Sequence, residues 1–123
     1  MIDQNINNHP LDLSYLREMS GDSPEFMVEM LEVFQKQTPI YMADLENAIA
    51  AEDWKATSEF SHKIKPTFHY VGRDDLRELM QTIERNSRDL TELAKIPEDF
   101  AISKKWVARL YEQLEEAKVE LLK

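Results

Sequence analysis

Apolar residues recur at steps of three and four along most of this chain, and capping residues divide them into five stretches. The first is short. In LDLSYLREM, Leu13, Leu16 and Met19 share one side, and Ser20-Gly21-Asp22 ends the run. Ser23-Pro24-Glu25 opens the longest stripe, with a serine able to cap, a proline at the first helical position and an acid in the first turn. Met27, Met30, Leu31, Phe34, Thr38, Tyr41, Leu45, Ala48 and Ile49 lie along it, in phase on both sides of Pro39, which predicts a kink rather than a break. Val33 and Ile40 fall off this stripe, on one side; either they form an exposed apolar patch or they meet a neighbouring helix.

After the turn Ala51-Glu52-Asp53, Asp53 caps a third helix whose stripe is Phe60, Ile64, Thr67, Phe68 and Val71, and Gly72 ends it. Arg73-Asp74-Asp75 starts a fourth, with Leu76, Leu79, Met80, Ile83, Ser87 and Leu90 inward and Arg77, Glu78, Glu84, Arg85 and Arg88 in solvent. The stretch from Leu93 to Ile102 contains Pro97 and loses the period, so it is expected to be a connecting loop. Ser103 then caps a last helix that turns Trp106, Val107, Leu110, Tyr111, Leu114 and Leu121 inward. Four long amphipathic helices on mostly short connections predict an all-α antiparallel four-helix bundle with the short N-terminal helix as an accessory. Met1 to Pro10 is polar and aperiodic and reads as a flexible lead-in with an incidental His9, leaving residues 11 to 123 as the one domain.

Composition agrees and narrows the chemistry. A chain of 123 residues is the size of one core, and 42% hydrophobic with 32% charged residues is neither a disordered nor a membrane composition. Only 2 glycines are present, too few for the tight turns of an all-β fold. The net charge of -9 with no basic face argues against nucleic acid as a partner. No cysteine is present, so disulfides, thiolate metal sites and thiol catalysis are excluded. There is no bilayer-length apolar run and no basic leader, which predicts a soluble, cytoplasmic protein without membrane attachment.

The candidate chemistry sits on the third helix. At about 100° per residue, His62 points roughly 160 to 200° away from Phe60 and Ile64, with Lys65 close in angle one turn on. Three readings compete: a plain surface histidine, a metal ligand, or a nucleophile. His62 and His69 stand two turns apart, about 10 Å of rise, too far for one ion, and Pro66 fills the next-turn ligand position. No metal is therefore expected. A neutral imidazole keeps a lone pair able to accept a phosphoryl group, and Lys65 could neutralise the phosphoryl oxygens. No glycine-rich phosphate loop or magnesium-holding acidic cluster is present, so the chain should not use ATP itself and needs no cofactor.

The segment HKIKPTFHYVG, with His62, Ile64, Lys65 and Gly72 at the key spacings, resembles the signature of histidine-containing phosphotransfer (HPt) domains. The likeness covers roughly residues 11 to 90. Pro66 stands where that pattern usually has glycine, and Phe68 and His69 where it has small residues. The resemblance implies a non-enzymatic phosphoryl carrier in a two-component phosphorelay, taking phosphate from the aspartyl phosphate of a receiver domain, one source being a hybrid sensor kinase, and passing it to another. It implies His62 as the phosphorylated residue and Lys65 as its electrostatic helper. Helical geometry then nominates Ile40, Lys55, Ser58, Glu59, Pro66 and His69 for the docking surface, while Gly72 serves backbone turning. The rival readings are an adaptor that binds a receiver without chemistry, favoured by Pro66 and Phe68, and a metal- or cofactor-binding bundle, for which inward histidines are lacking.

Overall fold

The computed structural model describes residues 11–123, and the lead-in and His9 lie outside the described residues. Five helices follow one another: α1 (Ser14–Met19), α2 (Pro24–Ala50), α3 (Trp54–Tyr70), α4 (Asp74–Asp89) and α5 (Lys95–Leu121). No strand occurs among the described residues. Packing runs α2 on α3, α3 on α4, α4 on α5 and α5 back on α2, which closes a four-helix ring, with α1 laid against α2. The pairs are antiparallel. Gln35 donates to Glu115 at 3.1 Å and Lys104 to Glu46 at 2.7 Å, so α5 advances as α2 recedes. The contacts of His62 with Glu84 and of Lys65 with Gln81 set the same sense for α3 and α4.

Local chemistry starts two of the long helices where expected. Ser23 Oγ accepts from the Phe26 amide at 3.3 Å with Pro24 at the helix start, and Asp53 Oδ1 accepts from the Ala56 amide at 3.1 Å. Both α2 and α3 run unbroken past their internal prolines, Pro39 and Pro66. The apolar faces meet in one core, where Leu31, Leu45, Ile64, Leu76, Met80, Ile83 and Leu110 are all fully buried. Phe68 is fully buried too, edge-on to Phe34 with ring centroids 6.1 Å apart. Burial of such a ring stabilises the fold by roughly 1.5–3 kcal/mol. Within α2, Met42 reaches the core and Tyr41 stays partly exposed.

Three expectations are corrected here. The predicted loop from Leu93 to Ile102 is largely the first turns of α5, which begins at Lys95. Pro97 stands in its first turn, where amide groups have no intrahelical acceptor and proline costs nothing. Ser103 is therefore no cap: it lies buried inside α5 and donates to the Asp99 carbonyl at 2.9 Å. Leu90, expected inward, is 62% exposed, because the chain leaves α4 there in the left-handed conformation (φ 56°) and swings the side chain out.

Tyr111 carries a buried hydroxyl with no partner, and burial pushes its phenol up to about 12. An orphaned buried polar group costs about 1–3 kcal/mol. Tyr111→Phe is therefore expected to keep the fold and raise the melting temperature by a few degrees in a thermal scan; a lowered value would mean the hydroxyl is bonded in solution.

Candidate functional site

The α3–α4 turn brings the site together. Val71 ends α3, Gly72 takes φ 71°, and the Arg73 amide reaches back to the Phe68 carbonyl at 2.9 Å. A side chain at Gly72 would meet the backbone of Asp12, since its Cβ would lie 2.1 Å from the Asp12 carbonyl oxygen. Glycine is required twice over here, by φ and by space. The turn folds α4 back along α3, so residues equally distant from it on either side become neighbours.

His62 stands out from α3 with its side chain 70% exposed, as its angle on the helix predicts. Its Nδ1 lies 2.9 Å from Glu84 Oε2 on α4. The other oxygen of the same carboxylate, Oε1, accepts from Lys65 Nζ at 2.8 Å, and Lys65 also donates to Gln81 Oε1 at 2.6 Å. Glu84 was expected in solvent and is instead buried between these partners. Burial pushes its carboxyl towards the neutral form, but hydrogen bonding and charge from Lys65, followed by the charge of His62, outweigh it and hold the group below the usual carboxylate range. An ionised carboxylate can only accept. The hydrogen of a neutral His62 is thus held on Nδ1, and Nε2 keeps the lone pair on the exposed side, with nothing bonded to it among the described residues.

Lys65 is drawn further inward than its helix angle suggests, its side chain only 20% exposed because both partners sit on α4. Among the docking candidates, Ile40, Lys55, Glu59 and Pro66 are exposed and Ser58 is half-buried. His69 lies half-buried, its Nδ1 3.1 Å from Asp74 and its ring 4.9 Å from that of Tyr15 on α1. Phe68 points into the core and leaves the face around His62 uncovered. Val33 and Ile40 are 53% and 60% exposed, which settles their alternatives in favour of a surface patch. Beside Val33 an apolar groove of about 340 Å³ opens between α1, α2 and α3, bounded by Leu16, Phe26, Met30 and Tyr70. Among the described residues no three acids or histidines gather to hold a metal ion.

Three residues of this region escaped the sequence reading: Glu84, Gln81 and Arg73. Arg73 is fully buried and grips Asp75 through Nε at 2.9 Å and Nη2 at 2.8 Å, stiffening the turn. A signal for the other two exists. With antiparallel helices hinged at the Gly72-Arg73 turn, counting equally outward from Arg73 brings His62 level with Glu84 and Lys65 level with Gln81.

Known proteins resemble this chain over part of its length. Over 61 residues, half of this chain, it is 38% identical to the aerobic respiration control sensor protein ArcB of Escherichia coli K12, and equally to that of Shigella flexneri. The aligned stretch is only 8% of the length of those relatives. No solved structure gives a significant match. The family model described as Hpt domain matches residues 29–118, most of α2 through α5, and the chain therefore belongs to the Hpt domain family.

Proposed function

We propose that His62 carries a phosphoryl group between receiver-domain aspartates in a phosphorelay, and that residues 11 to 123 are the unit that does so. The observation that carries this reading is the Glu84 contact at His62 Nδ1, which leaves Nε2 as an open nucleophile. In the forward step the Nε2 lone pair attacks phosphorus of the aspartyl phosphate, the P–O bond to the carboxyl breaks, and aspartate leaves with the electron pair. The ring keeps its Nδ1 hydrogen and becomes cationic. Glu84 stabilises that positive charge across 2.9 Å. In the reverse step the protonated ring is a good leaving group for the next receiver. Lys65, one turn from His62, offsets the phosphoryl charge, and the exposed residues around His62 with the Val33–Ile40 patch receive the partner.

Magnesium and the acidic pocket belong to that partner, since this chain has no phosphate loop of its own. Among the described residues no helix is long and apolar enough to cross a membrane. We place the relay in the cytoplasm, with a sensor protein of the ArcB kind as one upstream source. The test is incubation with phosphorylated receiver domains. Acid-labile label should appear on the protein and then leave for a second receiver; binding without label would favour a pure adaptor instead.

Glu84→Gln keeps an acceptor at Nδ1 but removes the charge. A hydrogen bond to a charged group is stronger than a neutral one by about 1–1.5 kcal/mol, so transfer into His62 should slow about tenfold in a rapid-quench assay. An unchanged rate would remove Glu84 from the mechanism. The same carboxylate contributes stability with a definite sign. Its folded pKa is depressed, so the contribution is present above about pH 4.3 and is lost as pH falls through the lowered value.

A further inference from the structure

Lys65 has three ammonium hydrogens, and two of them are spent on α4: one on Glu84 Oε1 at 2.8 Å, one on Gln81 Oε1 at 2.6 Å. These acceptors differ in kind. Glu84 is charged and also serves His62, whereas Gln81 is neutral, exposed and three residues earlier on the same face of α4. With Glu84 alone, a flexible four-carbon stem would sample many positions around one carboxylate. The amide oxygen of Gln81 supplies a second, fixed point. Because it is neutral, it holds the ammonium without cancelling the charge that a phosphoryl group needs. An ammonium cannot accept, so the Gln81 oxygen, not its amide nitrogen, must face Lys65.

We propose that Gln81 is a positioning residue for phosphotransfer, fixing the Lys65 ammonium beside His62 with one hydrogen left for the phosphoryl oxygens. This rests on the phosphotransfer reading above. A substitution at Gln81 should then act only through Lys65. It should alter the transfer step, and leave docking as it is.

The experiment is a double-mutant cycle on the full chain, with transfer from a phosphorylated receiver measured over a range of receiver concentrations. Gln81→Leu should lower the maximal rate about three- to tenfold with KM unchanged, the size expected for one partly exposed charge-assisted hydrogen bond. In a Lys65→Ala background the same change should alter the rate by less than about twofold. Equal losses in both backgrounds, or a loss confined to KM, would overturn the proposal. A second readout needs no transfer: the nitrogen-15 signal of the Lys65 ammonium should lose order in Gln81→Leu, and an unmoved signal overturns the role of Gln81. Absence of label on the wild type with every receiver would instead overturn the phosphotransfer reading itself.

Discussion

His62→Gln is expected to abolish acid-labile labelling by any phosphorylated receiver while the bundle melts as the wild type does. The loss should be complete because glutamine offers no lone pair nucleophilic enough to take the phosphoryl group, and no other group in the site replaces it. Stability should hold for a different reason. The histidine side chain is 70% exposed and lies opposite the core stripe of α3, and the glutamine amide can still donate to Glu84. A surface change of this kind shifts stability by about 0.5 kcal/mol or less. Circular dichroism and a thermal scan check the fold, and phosphate labelling checks the chemistry. Label retained on the variant would move the acceptor to His69, the other imidazole on this face, whose Nδ1 is likewise held by an acid, Asp74, at 3.1 Å.

The largest effect on stability is expected at Gly72. Both described glycines have positive φ, 63° at Gly21 and 71° at Gly72, so an alanine at either pays a similar backbone cost of about 1 kcal/mol. Their surroundings differ. Nothing lies within 4 Å of a Cβ at Gly21, whereas at Gly72 it would lie 2.1 Å from the Asp12 carbonyl oxygen and 2.7 Å from Asp12 Cβ. A backbone atom cannot rotate aside as a side-chain tip can. Either the turn opens or the segment before α1 lifts away, and with it the packing of Leu11 and Leu13 on the core and of Tyr15 on His69 and Tyr70. Gly72→Ala should therefore cost about 2–4 kcal/mol in urea unfolding, against about 1 kcal/mol for Gly21→Ala. Equal costs at the two positions would show that Asp12 is not seated on the turn in solution.

The relation between these two sites explains how α1 serves the fold although it forms no part of the four-helix ring. Its ring contacts meet the end of α3 that carries His69, and the Asp12 backbone meets Gly72 in the turn that follows. The helix bearing His62 is therefore held at both ends: by the Asp53 cap at its start and by the Gly72 turn under Asp12 at its finish.

Much of this was legible in the residues. Capping chemistry at Ser23, Asp53 and Gly72 works within a few residues, so it can be read without knowing the fold. The same holds for the outward direction of His62, which depends only on helix period relative to Phe60 and Ile64. The α4–α5 connection failed because proline disrupts a helix interior but suits a first turn, and local pattern alone did not distinguish the two. Leu90 failed for a similar reason: its inward phase holds only while the helix lasts, and α4 ends beside it.

What the sequence determined by itself was which residues lie on which face of each helix, and hence a bundle with an exposed histidine. What only the tertiary structure decided was which faces meet. Glu84 reads as a solvated acid on its own helix, because a charge belongs in water unless something pairs with it. The partner that reverses this comes from α3, through the angle at which the Gly72 turn sets α4 against it. Within one helix, side-chain direction follows from a fixed rotation per residue; between helices it follows from packing of both apolar faces at once. The pairing of His62, Glu84, Lys65 and Gln81 is a product of that second, non-local condition.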